Sequence, residues 1–407
     1  MSSQLPSDLA AAPAAATAEP HWAPTGRTVG LICLAGVLVV GQLYVVLPLL
    51  DALAREWEAA RSAVTWTTTC FGLAYALGFL VTGPFSDRWG RRPVIVGGLL
   101  ATSVTTLLVA LAPSLELGLT ARIAQGATAS LFAPAAFAYL AEHIEPRRRV
   151  LALTCLTSSF LAAGVLAQVA SQAAAAAWGP SAIFLLSSVG FVLVGAAAWF
   201  VLQPRAPSPD PRTNEPSGLR ASFRPFAGLL RNPVLALLFT SCISVLGVFV
   251  GLYTGIQLSP PDGIGDGAML ALRASALPAM IAVPLLAGRL AGVAPTTRVV
   301  AALLAAAITA AATIAPFGGV WVALCLLLFV AAIAVAAPAL VQAIAERSGP
   351  ARGAATSLYT FTLFLGASTG PQLANLLAGA GYWAVAGAMS AVALVGAGLA
   401  YASARVG

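Results

Sequence analysis

Twelve stretches of about twenty mostly apolar residues follow one another along this chain, and few folds accommodate that pattern. An α-helix rises about 1.5 Å per residue, so about twenty residues cross the hydrocarbon core of a bilayer. The stretches fall at 28–50, 63–83, 93–112, 116–140, 150–171, 181–202, 233–256, 268–288, 298–316, 320–343, 353–374 and 382–403. Backbone N–H and C=O groups have no water partner in lipid, so each span is expected to be helical. Composition agrees: of 407 residues, 59% are hydrophobic and only 9% charged. A soluble domain carries roughly 25% charged residues, and this chain lacks the polar residues to coat a water-soluble globule. The expected fold class is an all-α integral membrane protein with twelve transmembrane helices.

Every basic residue is an arginine, and the arginines set the orientation. With the N-terminus in the cytoplasm, 17 of the 21 arginines lie in cytoplasmic segments. Arg55 and Arg61 fall on the outer side, and Arg122 and Arg273 lie within spans. Both termini are therefore expected in the cytoplasm of a multi-pass cell-membrane protein. The net charge of +7 is spread over short loops and forms no basic face or aromatic-basic repeat, which excludes nucleic acid as partner. The five cysteines lie in five different spans with no C-x-x-C spacing, and His21 and His143 lie outside the spans. No metal site and no cofactor are expected.

Residues 1–26, rich in Ala, Pro and Ser, read as a disordered cytoplasmic tail. Residues 203–232 carry Pro204, Pro207, Pro209, Pro211 and Pro216, then a basic stretch with Phe223, Phe226, Leu229 and Leu230. They read as a cytoplasmic linker ending in a short interfacial helix. The linker divides the chain into six-helix bundles at 27–202 and 233–407. A shift of 204 positions pairs Pro134 with Pro338, Glu142 with Glu346, Pro146 with Pro350, Arg148 with Arg352 and Gln168 with Gln372. The shift preserves orientation, so the halves read as parallel repeats about an axis along the membrane normal, with a cavity between them.

Between the second and third spans the chain reads Gly83-Pro84-Phe85-Ser86-Asp87-Arg88-Trp89-Gly90-Arg91-Arg92-Pro93. Gly83 and Gly90 permit a tight turn. Asp87 can bond backbone amides or a helix N-terminus. Arg88, Arg91 and Arg92 can reach an acid on a neighbouring helix, with Glu142 available. The cluster can latch the two halves together, or serve as an anchor with a tight turn. This G-x-x-x-D-R-x-G-R-R run after the second of twelve spans resembles the signature loop of the major facilitator superfamily. Gly288-Arg289 to Arg298 is a faint second copy after the eighth span.

Arg122-Ile123-Ala124-Gln125-Gly126 resembles the R-x-x-Q-G element of the superfamily's twelve-helix drug/proton antiporter branch. There the arginine is implicated in proton coupling; snorkelling to the outer surface is the alternative. A third element of that branch, G-P-x-x-G-G in the fifth helix, is absent. Ala163-Gly164-Val165-Leu166-Ala167-Gln168 stands in its place, and the related Gly366–Gln372 string sits in the eleventh helix.

Polar residues within spans are the substrate-binding candidates: Gln42, Tyr44, Arg122, Gln125, Gln168, Tyr253, Gln257, Arg273, Tyr359 and Gln372. Each can instead be an interhelical hydrogen-bonding residue. Arg273 can attract an anionic substrate group, or snorkel towards Asp262 or Asp266. No acid lies in the middle of any span, which leaves Asp51 and Asp87, with Arg122, as the proton-coupling candidates. The resemblance implies a monomeric secondary transporter in the bilayer that exports small amphipathic compounds against protons. Proton-coupled uptake of a small anionic metabolite is the alternative, and a non-transporting receptor or scaffold on the same fold is a third reading. An enzyme is not expected, because no catalytic constellation is visible in the spans.

Overall fold

The computed structural model describes residues 22–204, 219–261, 264–279, 282–283 and 292–406. The expected tail before residue 22, the first part of the linker, Asp262 and the Gly288-Arg289 motif lie outside the described residues. Among the described residues all regular structure is helical. Helices α1 (Thr25–Gly41), α2 (Trp66–Trp89), α3 (Arg91–Ala110), α4 (Leu115–Ala129), α5 (Phe132–His143), α6 (Pro146–Trp178) and α7 (Ala182–Val201) make the first half. After them come α8 (Leu219–Arg231), α9 (Pro233–Leu258), α10 (Asp266–Ala274), α11 (Pro295–Ala312), α12 (Gly319–Arg347), α13 (Arg352–Leu377) and α14 (Tyr382–Val406). Nine helical stretches of the described residues, with α4 and α5 counted as one, are long and apolar enough to span a bilayer.

Three expected elements differ from the sequence reading, each for a local backbone reason. The first span does not run unbroken to residue 50. Helix α1 ends at Gly41, residues 42–46 form turns, Leu47–Leu49 is a 3₁₀ turn, and a short helix resumes at Leu50. Pro48 lacks an N–H and falls in the 3₁₀ turn, where the loss is tolerated. The fourth span is two helices, α4 and α5, separated at Ser130 and Leu131. Pro134 cannot donate to the Ser130 carbonyl, and the Thr82 hydroxyl donates to that oxygen instead, at 3.1 Å. The run expected as a loop after the second span is helical through Trp89. Only Gly90 breaks it, at φ +90°, which costs a glycine nothing. Of the linker's end, the expected short helix is present as α8, with Leu229 buried and Leu230 exposed.

Within each half the helices pack closely: α1 lies on α6 and α7, α3 on α4 and α7, α9 on α13 and α14, and α11 on α12 and α14. Between halves, α2 packs on α13 and α6 on α10. Lipid supplies little hydrophobic drive between helices, so close approach rests on small residues. A Cβ on Gly366 would lie 2.0 Å from the Ile243 carbonyl oxygen, and one on Gly370 2.1 Å from that of Gly247. A Cβ on Gly126 would lie 2.3 Å from the Phe71 oxygen, which explains the glycine of the R-x-x-Q-G element as a packing residue between α4 and α2.

Gly366→Val is therefore expected to separate α13 from α9 and to destabilise the protein by about 3 kcal/mol, at the upper end of overpacking costs. Thermal melting of the purified protein in detergent measures it. Gly387→Ala is the control, because nothing lies within 4 Å of a Cβ there, and it should melt with the wild type.

Candidate functional site: two buried networks and an aromatic seam

The break in α1 leaves backbone carbonyls without helical partners inside the bundle, and side chains from two other helices supply donors. Arg122 Nη2 donates to the Gln42 carbonyl at 2.9 Å. The Ser171 hydroxyl donates to the Val45 carbonyl at 2.6 Å. Arg122 also donates through Nε to the Thr67 carbonyl at 3.1 Å and through Nη1 to Gln125 Oε1 at 2.6 Å. Its guanidinium carbon lies 4.4 Å from the centre of the Phe71 ring. Gln125 Nε2 in turn donates to Gln42 Oε1 at 3.0 Å and to the Thr106 hydroxyl at 2.7 Å. Arg122 is 0% exposed and points into the bundle, so it does not snorkel. The partners described for it are neutral oxygens and a π-face. They spread the cost of a buried charge over several charge-assisted hydrogen bonds. The network joins α1, α2, α3 and α4, and it makes Arg122, Gln125 and Gln42 positioning residues for the break.

The second network crosses between the halves at the end opposite the arginine-rich loops. Asp51 forms an ion pair with Arg61, whose Nη2 donates to Asp51 Oδ2 at 2.8 Å. Arg61 Nη2 also donates to the Gln257 carbonyl at 2.9 Å, and Gln257 Nε2 donates to Asp51 Oδ2 at 3.0 Å. Arg273, 2% exposed, donates to both Gln257 Oε1 and Gln172 Oε1. Asp51, Arg61 and Gln172 belong to the first half, Gln257 and Arg273 to the second. Arg273 is thus held by one amide oxygen of its own half, on Gln257, and by one across the interface, on Gln172; the side chain of Asp266, the expected snorkelling partner, lies outside the described residues.

An aromatic seam lies between the two networks. Phe249 on α9 meets Tyr44 edge-on with centroids 5.7 Å apart, Tyr253 at 5.1 Å and Phe329 at 6.4 Å. Gly164 on α6 opens the space for it, because a Cβ there would sit 3.2 Å from the Phe249 ring. On the other interface Phe364 contacts Tyr75 at 4.6 Å and Phe79 at 5.5 Å. Gln372 Nε2 crosses to the Thr69 hydroxyl at 2.9 Å, and Thr69 donates to the Ser368 carbonyl at 2.7 Å. Tyr359 donates to the Ala337 carbonyl at 3.1 Å within the second half, away from the seam's first-half partners.

At the arginine-rich end, Arg91 donates to Glu142 Oε1 at 3.0–3.1 Å and to the Ser86 hydroxyl at 2.6 Å. Arg92 donates to the Trp199 carbonyl and stacks on the Trp199 ring at 4.4 Å. Arg88 is exposed. The Arg91–Glu142 bond expected from the sequence is present, but it ties α3 to α5 inside one half. Bonds that cross between the halves are described at the Asp51 end. Gly83 and Asp87 belong to α2, and their side-chain positions lie outside the described residues.

Sequence reasoning missed Gln172, Arg61 and Phe249. Gln172 stands four residues after Gln168, on the same helix face, and Gln257 stands four after Tyr253. The same spacing from a named candidate finds Gln172 and, four residues before Tyr253, Phe249; no such spacing marks Arg61.

A model of the Major Facilitator Superfamily matches residues 32–329. The chain belongs to the Major Facilitator Superfamily. It is similar to the Multidrug resistance protein B homolog of Mycobacterium tuberculosis, 33% identical over 31% of this chain and 24% of that protein. It is also similar to the Chloramphenicol resistance protein of Pseudomonas aeruginosa, 32% identical over 38% of this chain and 37% of that one. Across the curated relatives the chain spans about a quarter to about a half of their length. The fold matches the crystal structure of the human organic anion transporter MFSD10 (TETRAN) with TM-score 0.67 at 19% identity, over 93% of this chain and 99% of that one. Membership of the superfamily, with the apolar helices of spanning length, makes this chain a multi-pass membrane protein.

Arg122→Met is expected to leave the Gln42 carbonyl and Gln125 Oε1 without their donor in the bundle, at a cost of about 2–4 kcal/mol. Thermal melting reads it. A variant melting with the wild type would show that the α1 break does not lean on Arg122.

Proposed function

We propose that this transporter exports small amphipathic compounds from the cytoplasm in exchange for protons, as a monomer in the cell membrane with both termini cytoplasmic. The observation that carries the substrate class is the seam at the inter-half contact. It is built of Tyr44, Phe249, Tyr253 and Phe329 with amides around it, and no carboxylate stands among these residues. Such a surface suits a neutral aromatic body with a polar tip. Similarity to the Multidrug resistance protein B homolog, to the Chloramphenicol resistance protein and to a Cephamycin export protein of Amycolatopsis lactamdurans favours export.

The bundles 27–202 and 233–407 rock about the seam in this reading, joined through 203–232. The Asp51 network closes one end of the path. Opening that end separates Asp51 and Arg61 from Gln257, so a proton on Asp51 favours opening by weakening these bonds. Arg122 transmits the movement by tying the α1 break, next to Tyr44, to α2 and α4. Asp87, with Arg88, Arg91 and Arg92, serves the opposite end.

Everted membrane vesicles from a drug-sensitive host test this with labelled chloramphenicol. An acid interior should drive its accumulation, and a protonophore should abolish it. Accumulation that instead needs an acid exterior would replace antiport by symport. Asp51→Asn should abolish pH-driven accumulation while leaving chloramphenicol exchange down its own gradient. Full pH-driven accumulation by that variant would remove Asp51 from the coupling step.

A further inference from the structure

Contacts reach between helices α6 and α9 at two points, two turns apart along each helix, and helical periodicity places a middle rung between them. In the first, Gly164 receives the Phe249 ring. In the third, eight residues on along each helix, Gln172 and Gln257 are bridged by Arg273. Residues four apart lie on one helix face, so the middle rung is Gln168 and Tyr253. Both are buried, at 0% and 2% exposure. Gln168 Nε2 donates to the Gly164 carbonyl within its own helix, which fixes the amide's orientation, and Gln168 Oε1 has no partner among the described residues. The Tyr253 hydroxyl has none either. An acceptor and a hydroxyl are thus both left unpaired on a rung whose neighbours above and below are filled.

The internal repeat sharpens the contrast. The 204-residue shift pairs Gln168 with Gln372 and Arg273 with Thr69. At the second interface Gln372 meets the Thr69 hydroxyl directly. At the first, the Arg273 guanidinium is committed one turn away, to Gln172 and Gln257, and Gln168 Oε1 is left over. A buried unpaired oxygen has lost its hydrogen bonds to water and gained none in return.

We infer that the Gln168–Tyr253 rung is the polar subsite of the transported compound, and that it selects neutral ligands carrying a hydroxyl or an N–H amide. This rests on the export reading and specifies its substrate class. Gln168 Oε1 accepts only, so the ligand brings an O–H or N–H donor. The Tyr253 hydroxyl donates to the ligand's own oxygen. Ethers, esters and tertiary amides lack the donor, and so does a carboxylate. The ligand's aromatic body then rests on Phe249 and Tyr44. Arg273 closes the rung from above without supplying an ionic contact, because two amide oxygens occupy it.

Binding tests this independently of transport. The probes are naphthalene-2-carboxamide and its N,N-dimethyl analogue, which share the ring and the acceptor and differ in the N–H donors. Affinity is read from the shift in melting temperature of the purified full chain with ligand concentration. The wild type should bind the carboxamide about tenfold more tightly than the dimethyl compound, the value of one good hydrogen bond. Gln168→Leu should bring the two affinities together. Tyr253→Phe should weaken both by a similar factor and keep their ratio. Without ligand, Tyr253→Phe should melt no lower than the wild type, because it removes a group that has no partner. Equal wild-type affinities, no binding of either probe, or an unchanged preference in Gln168→Leu would each overturn the subsite. Failure of chloramphenicol export in vesicles would count against the transport reading and leave this measurement standing.

Discussion

Inside a bilayer no backbone carbonyl can be left to water, and the architecture of the first half follows from that constraint. Helix α1 stops at Gly41, and the chain crosses the next few residues as turns. That break is affordable only because Arg122 and Ser171 donate to the Gln42 and Val45 carbonyls. The same device recurs at Pro134, where Thr82 donates to the Ser130 carbonyl that the proline leaves free. Each irregularity is repaired by a side chain from a different helix, so each also fixes how two helices sit against each other. The R-x-x-Q-G element is the densest case. Its arginine holds the α1 break, its glutamine holds the Gln42 side chain, and its glycine lets α4 touch the α2 backbone.

The two ends of the molecule are joined differently. At the arginine-rich end the described bonds stay within a half, as with Arg91 to Glu142 and Arg298 to Gln342. At the Asp51 end they cross, from Asp51 and Arg61 to Gln257 and from Gln172 to Arg273. The crossing bonds are not equivalent. Arg61 and Asp51 are partly exposed, with side chains 43% and 35% accessible, and exposed pairs contribute at most about 1 kcal/mol. Arg273 is buried, and parting the halves takes the Gln172 oxygen from its guanidinium and leaves Gln257 Oε1 to hold a buried charge. The outer rim is therefore the easier part of this interface to open, and the Arg273 bridge is the harder.

Much of the fold is legible in the sequence because hydrophobic length is a direct consequence of bilayer thickness. The spans appear as uninterrupted apolar runs, and the arginines between them carry the orientation. What fails to show is the breaks. Pro48 and Pro134 are visible as letters, but whether a proline ends a helix depends on whether another helix supplies a donor for the freed carbonyl. Pro338 and Pro371 stand inside the continuous helices α12 and α13, and nothing local to the sequence separates them from Pro134. The site candidates divide in the same way. Polar residues within spans are picked out by hydrophobic contrast alone. Their roles depend on facing: Tyr359 and Arg122 bind helix to helix, whereas Gln168 and Tyr253 keep a polar atom unpaired.

That last distinction is the one that separates packing from recognition in this chain. A polar side chain whose bonds are all made inside the protein has little left to offer a ligand, because binding would exchange one bond for another. Gln372 spends its amide on Thr69, and Gln125 spends its amide on Gln42 and Thr106. Gln168 spends only its N–H, on its own helix. An unpaired acceptor between a filled aromatic rung and a filled arginine rung gains a full hydrogen bond when a donor arrives, with no internal bond broken. Selectivity then follows from the acceptor itself: a ligand without an O–H or N–H leaves the same cost in place, and the site discriminates against it without any repulsive contact.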